Sequence, residues 1–89
     1  MTTQQQQIWD DLVAIKCYKP PGISRVKVQQ AARLLDRDPL FWMDIIVRHN
    51  LTNQTVAELR ENDPDTFGHL VCNFWGQIAE VLVRNGIRL

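Results

Sequence analysis

The sequence has few of the residues and spacings from which catalytic and metal sites are usually built. It contains two cysteines, Cys17 and Cys72, and two histidines, His49 and His69. It has no CxxC pair, no glycine-rich phosphate loop, no paired-carboxylate motif and no metal-ligand spacing. An active site needs a nucleophile, a base and a stabilising group that converge, and no such set is visible. We therefore predict a protein that is not an enzyme and that uses neither cofactor nor metal.

Long apolar runs are also missing. The longest segment without Asp, Glu, Lys or Arg, residues 66–79, is too short and too polar to span a bilayer. Residues 1–7 have neither the basic stretch nor the apolar stretch of a secretory signal. Two widely separated cysteines then favour reduced thiols over a disulfide, although a single Cys17–Cys72 bridge stays open. We expect a soluble protein of the cytoplasm.

The composition is that of a small folded domain. The chain has 89 residues, of which 45% are hydrophobic and 22% are charged. A chain of this length buries roughly 60–65% of the surface that it exposes when unfolded, so its core is modest. Three Trp and three Phe supply much of that core. We predict one domain over residues 1–89, with residues 1–4 disordered.

Apolar periodicity predicts helices and no strands. No stretch alternates apolar and polar residues over a strand's length, whereas spacings of three and four recur throughout. The sequence therefore predicts an all-α fold, a compact bundle of four to five helices without a sheet. The predicted helices cover about 4–16, 25–35, 39–49, 53–62 and 64–85.

Residues that favour helix ends and turns set these boundaries. Ser24, Asp38 and Asp63 are predicted N-caps, the last two followed by proline at the first helical position. The fourth helix is expected to have Thr52 or Asn53 as its cap. Pro21-Gly22 suits a type II turn, and Gly86 suits the left-handed position that follows the last helix.

The fifth helix is the expected centre of the core. Its main apolar stripe has three- and four-residue steps and consists of Phe67, Leu70, Val71, Phe74, Ile78, Val81 and Leu82. A second stripe on an adjoining face consists of Cys72, Trp75, Ala79 and Val83. This width predicts packing on two sides. Gly76 within the helix is expected to allow the close approach of a neighbouring helix.

The third helix is apolar in nearly every direction. Residues 40–43 and 45–47 are all hydrophobic, and only Asp44 interrupts them. Such a helix is either buried centrally or partly covered by another molecule. Because the fifth helix is already expected to occupy the centre of the core, we predict an exposed interface patch formed by Phe41, Trp42, Met43 and Ile46. Complete burial within one protomer is the alternative.

Charge is unevenly distributed although the total is zero. Residues 12–35 contain only basic charges, and the predicted basic surface consists of Lys16, Lys19, Arg25, Lys27 and Arg33. Residues 36–65 are mainly acidic, and the predicted acidic surface consists of Asp36, Asp38, Asp44, Glu58 and Glu61. These surfaces could dock a charged partner or stack copies of the protein head to tail. They could also face each other within one protomer.

The second and third helices have the spacing of a helix-turn-helix, with Trp42 and Ile45 expected to point inward. The usual glycine of the turn is Asp36, and the would-be recognition helix carries Leu40, Met43 and Asp44. Acidic and apolar side chains at those positions do not suit phosphates or guanine. A nucleic-acid-binding regulator with a degenerate motif is therefore the second hypothesis.

The first hypothesis is a protein–protein interaction module: an adaptor, an inhibitor or an assembly domain. Its partner would be another protein or a second copy of the chain, giving a homo-oligomer. His49 is expected to act at the C-terminal end of the third helix, where an imidazolium suits the helix dipole. His69 is expected to be solvated.

Overall fold

The computed structural model describes residues 1–89, except that the side chain of Lys16 lies outside the description. It confirms an all-α bundle, with no strand at any position of the described backbone. The five α-helices are α1 (Thr3–Val13), α2 (Arg25–Leu35), α3 (Pro39–Ile46), α4 (Val56–Asn62) and α5 (Pro64–Arg84). A 3₁₀ turn (Lys16–Tyr18) lies between α1 and α2. Over the described residues, no helix has the length and apolar character needed to cross a membrane.

The start of α1 differs from the sequence-based expectation. We expected residues 1–4 to be disordered, but α1 already begins at Thr3. Thr2 and Gln5 form a capping box: the Gln5 amide donates to Thr2 Oγ1 at 3.2 Å, and the Thr2 amide donates to Gln5 Oε1 at 3.0 Å. Two otherwise unpaired amides of the first turn are satisfied in this way, which explains the earlier start.

The structure confirms three of the four predicted N-caps. Ser24 precedes α2, Asp38 precedes α3 and Asp63 precedes α5, each accepting from amides of the following turn. The cap of α4 was predicted wrongly. It is Thr55, whose Oγ1 accepts from the Glu58 amide at 3.1 Å. The chain is still in a loop at residues 52 and 53, so neither residue can begin a helix there.

Left-handed residues end α3 and α5. Gly86 has φ +77°, as predicted, and the Ile87 amide donates back to the Leu82 carbonyl at 2.9 Å. After α3, Asn50 takes this role with φ +57°, and the Leu51 amide donates to the Ile46 carbonyl at 2.8 Å. Both ends have the Schellman pattern, in which this long bond satisfies a terminal carbonyl.

The core is built around α5, which contacts α2, α3 and α4. Twenty hydrophobic side chains are buried, seven of them on α5. Trp9 of α1 joins the core through edge-to-face contacts with Phe74 (ring centroids 5.1 Å apart) and Phe41 (6.3 Å). Within the second stripe of α5, only Trp75 is buried, whereas Cys72 and Val83 are exposed. The outer side of α5 is therefore not covered within the protomer.

The structure contradicts the expected role of Gly76. A Cβ added at this position would meet nothing within 4 Å, so no neighbouring helix approaches it. Close approach occurs instead at Gly22, which has φ +89° and where a Cβ would lie 3.1 Å from the backbone carbon of Leu89. Glycine at position 22 is required by the turn and by this contact, whereas glycine at position 76 is not.

Candidate protein-interaction surface

The helix α3 divides its apolar side chains between the core and the surface. Asp38 and Pro39 fix where the helix begins, and its turn of 3.6 residues then directs Phe41, Trp42 and Ile45 inward. The residues that point outward are Leu40, Met43 and Val47, which are 69%, 56% and 62% exposed. Leu40 and Met43 lie along one side of α3, and Val47, the C-cap residue with helical backbone angles, continues the same row. We call these three residues the α3 stripe.

This arrangement corrects the predicted patch of Phe41, Trp42, Met43 and Ile46. Phe41 and Trp42 are 2% and 4% exposed, so neither can contact a partner. Their rings pack edge to face 5.0 Å apart, and Trp42 also lies near Trp9 at 6.5 Å. Ile46 is half-buried, and only Met43 is well exposed. Phe41 and Trp42 are part of the core because aromatic residues of other helices pack against them. The sequence of α3 alone does not show these contacts.

Leu40 and Val47 were not part of the predicted patch. The spacing in the sequence already grouped them with Met43. Leu40, Met43 and Val47 lie at i, i+3 and i+7 and so share one side of a helix, whereas Phe41, Trp42 and Ile45 lie on the opposite side.

A groove of about 470 Å³ lies between α3 and the C-terminal half of α5. Its apolar wall includes Leu40 and Met43 of the α3 stripe together with Val81. Its polar wall is formed by side chains of α5, namely Asn73, Gln77, Glu80 and Arg84. Two of the three residues of the α3 stripe, Leu40 and Met43, therefore line a concave surface.

Asp44 joins the two sides of this groove. Its Oδ2 accepts from Asn73 Nδ2 at 3.0 Å and from Gln77 Nε2 at 2.8 Å, and Gln77 also donates to Asn73 Oδ1 at 3.2 Å. Its Oδ1 lies 2.9 Å from Arg48 Nε. Hydrogen bonds to an ionised carboxylate are stronger than those between neutral groups, so this network holds α3 in a fixed position on α5.

The predicted acidic surface is divided by these local roles. Asp44 is half-buried in the groove, and Asp38 is half-buried with its Oδ1 accepting from the Leu40 and Phe41 amides at 3.0 and 3.3 Å. Asp36 is also half-buried, with its Oδ1 2.6 Å from the amino group of Met1. Only Glu58 and Glu61 are exposed on α4. A continuous acidic surface over these five residues is therefore not formed.

Most of the predicted basic surface is exposed. Lys19, Arg25 and Arg33 are exposed, while Lys27 is half-buried and its Nζ donates to the Gly22 carbonyl at 3.1 Å. The side chain of Lys16, also predicted to belong here, lies outside the described residues. Arg37, in the turn after α2, is exposed as well. It was not predicted as part of this surface because it lies within the mainly acidic segment.

The basic and acidic segments do not neutralise each other through ion pairs. Among the described side chains, the ion pairs are Arg48–Asp44 and Arg84–Glu80, both one helical turn apart, together with the amino group of Met1 and Asp36. None of these pairs links residues 12–35 to residues 36–65. The exposed charges of α2 and α4 therefore face solvent.

The helices α2 and α3 have the order of a helix-turn-helix, and Trp42 and Ile45 are buried as expected. The outward side of α3, however, consists of the α3 stripe and so offers apolar groups where a recognition helix needs hydrogen-bond donors. The described side chains of the predicted basic surface lie on α2 and in the loop before it.

His49 has a structural position that differs from the expectation. It is 5% exposed, and its Nε2 is buried with no hydrogen-bond partner in the described part of the chain. Burial lowers the pKa of His49, with Asp44 opposing this effect and Arg48 and His69 adding to it. A neutral ring packed after α3 replaces the imidazolium that we expected at the helix dipole.

The remaining candidate groups for chemistry are not gathered into a site. His69 and both cysteines are exposed, and the cysteines are free thiols. No group of three or more His, Cys, Asp or Glu side chains within the described residues is placed to hold a metal ion. Comparison of the chain with protein-family models, curated proteins and solved structures gave no match.

Proposed function

We propose that this domain is a protein–protein interaction module that self-associates through the α3 stripe and the adjoining groove. The observation that carries the proposal is the exposure of Leu40, Met43 and Val47 along one side of α3. Isolated apolar side chains on a surface are common, but three in one row beside a concave groove are typical of a contact surface.

The exposure does not reflect a lack of core. The neighbouring Phe41, Trp42 and Ile45 are almost completely buried, so α3 is well anchored without the stripe. Three side chains cannot supply the about 800 Å² that each partner buries in a typical stable interface. The proposed contact therefore includes the groove, whose Asp44 network gives it a fixed shape.

The test compares a variant of the α3 stripe with a variant elsewhere. Sedimentation velocity over a wide range of concentration should show the native protein above the mass of one chain. Met43→Glu should weaken association by about tenfold or more, because a charge would replace an apolar contact. Val83→Glu is the matched control, since Val83 is also an exposed helical residue, at 60%.

Both variants should retain the native helical circular dichroism. A native protein that stays monomeric at every concentration would contradict the proposal. Equal association of the two variants would show that the α3 stripe is not the contact.

The exposed, unpaired charges of α2 favour a second candidate, a nucleic-acid-binding regulator. Arg25 and Arg33 would contact phosphates, and Lys19 could join them from the preceding loop. Binding to an oligonucleotide should then weaken steeply as salt is added, because counterions are released on binding. An absence of retardation at low salt would remove this candidate.

We further propose a cytoplasmic location. Cys17 and Cys72, both exposed and free, fit a reducing compartment, in which thiols stay unpaired. Fractionation of the native cells tests this directly.

A further inference from the structure

We infer that the groove between α3 and α5 binds the basic outer face of α2 from a second copy of this chain. The copies would then associate head to tail, with a different surface on each side of the contact. This inference rests on the proposed self-association and specifies its geometry.

The outer face of α2 combines apolar and basic side chains. Val26 and Arg33 lie at i and i+7, so they lie along one line on α2, and Arg37 follows in the turn after the helix; all three are exposed. Val26 is 63% exposed, although α2 is fixed to the core by buried Val28, Ala31 and Leu35. In the described structure, neither Arg33 nor Arg37 has an ion-pair partner.

The groove has complementary properties. Its charged lining consists of three acids, Asp38, Asp44 and Glu80, and one base, Arg84, which pairs with Glu80. When Arg48, which pairs with Asp44, is counted with them, the balance is one negative charge, and Asp38 is the acid without a basic partner among the described side chains. Leu40 and Met43 of the α3 stripe supply apolar surface in the same groove. Val26 can therefore pack on the α3 stripe while Arg33 and Arg37 approach the acids.

The dimensions of the two surfaces are also compatible. At a rise of about 1.5 Å per residue, Val26 and Arg33 are about 10 Å apart along α2. Leu40 and Val47 have the same separation in sequence, so the apolar row on α3 is equally long. Arg37 follows Arg33 in the turn after α2.

Charge argues against a symmetric contact of two grooves. A two-fold axis through the α3 stripe would bring the groove, with its net negative charge, towards the same groove of the second copy, which is unfavourable. It would also leave the basic face of α2 unused. A contact between unlike surfaces avoids this repulsion and uses the basic face of α2. Such a contact can add further copies in a chain unless the copies close into a ring.

Two variants, each defective in one surface, test this geometry. The groove variant carries Leu40→Glu and Met43→Glu, and the α2 variant carries Arg33→Glu and Arg37→Glu. Each should associate at least about tenfold more weakly than the native chain when alone. An equimolar mixture should form a one-to-one dimer and nothing larger, because each variant keeps one intact surface. Size-exclusion chromatography with light scattering gives the masses.

A charge-matched control separates the face of α2 from net charge. Lys19→Glu with Arg88→Glu changes the formal charge by the same amount as the α2 variant, at exposed positions off that face. This control should associate as the native chain does. Loss of association in the control would show an effect of net charge and would overturn the inference.

The remaining outcomes distinguish this inference from the proposed function. If the α2 variant associates like the native chain while the groove variant does not, the head-to-tail geometry is wrong and self-association through α3 stands. If each variant is monomeric and the mixture is also monomeric, unlike surfaces do not meet and the inference fails. If the native chain binds an oligonucleotide through Arg33 and Arg37 but assembles without them, the basic face serves nucleic acid instead. A native chain that is always monomeric removes both proposals.

Discussion

The helices α3 and α5 are both apolar on more than one side, but their surroundings differ. The helix α5 lies at the centre, in contact with α2, α3 and α4, and buries seven hydrophobic side chains. The helix α3 is much shorter and packs with one side only, so the α3 stripe stays exposed. An apolar surplus is therefore buried where other helices surround it and stays exposed where they do not. Position in the bundle decides between the two.

The largest expected effect comes from two adjacent residues of α3. Trp42→Glu should destabilise the fold by more than about 4 kcal/mol, because it removes a buried ring and buries an unpaired carboxylate. Met43→Glu should change the free energy of unfolding by no more than about 0.5 kcal/mol, because Met43 is exposed. Urea denaturation followed by circular dichroism measures both. Similar losses in the two variants would show that α3 is not divided as described.

A second, smaller effect concerns the turn that follows α3. Burial lowers the pKa of His49, so the folded protein binds a proton less readily than the unfolded chain, whose histidine titrates near about 6.5. The stability that depends on neutral His49 is complete above that pH. It is lost as the pH falls through the lower pKa of the folded state. His49→Gln should therefore flatten the decline of unfolding free energy between about pH 7 and pH 5.

The comparison variant is His69→Gln, which removes only the smallest of the contributions that lower the pKa of His49 and should therefore change the decline less than His49→Gln does. Asp63 acts in a separate range. Its carboxylate accepts from the hydroxyl and the amide of Thr66, which lowers its pKa. The stability that it contributes is present above the ordinary pKa of aspartate and is lost only in more acidic solution. An unchanged decline in His49→Gln would contradict the buried position of His49.

The smallest effect tests the outer side of α5. Gly76→Ala should stabilise the protein by about 1 kcal/mol, since alanine favours the helix and its Cβ has free space. Gly86→Ala should destabilise it, because Gly86 has a positive φ. Thermal unfolding measures both, and association of Gly76→Ala should equal that of the native chain. Impaired association would place the contact on the outer side of α5 rather than on the α3 stripe and the groove.

Much of the fold could be predicted because its signals are local. Ser24, Asp38 and Asp63 mark helix starts through their own side chains, and Gly86 marks an end through its backbone freedom. The predicted core stripe of α5 was also right, apart from half-buried Val81. The cap of α4 was harder, since Thr52, Asn53 and Thr55 are all acceptable caps and the turn after α3 decides among them.

The candidate site was only partly predictable because it depends on packing between distant residues. Phe41 and Trp42 were predicted to be exposed, but Trp9 packs against both of them and Phe74 packs against Phe41. The predicted acidic surface is incomplete for the same reason. Asp44 accepts hydrogen bonds from Asn73 and Gln77, which are 29 and 33 residues away in sequence. Charge counted along a chain does not show which carboxylates the fold itself uses.

Methyl NMR of methionine tests the central claim most directly, because the chain contains two methionines, Met1 and Met43. In protein labelled at the methionine methyl groups, self-association through the α3 stripe predicts that the Met43 signal shifts or broadens as concentration increases. The Met1 signal should change much less. If both signals stay constant while sedimentation gives the mass of one chain, α3 is simply an exposed helix and the proposed contact does not exist.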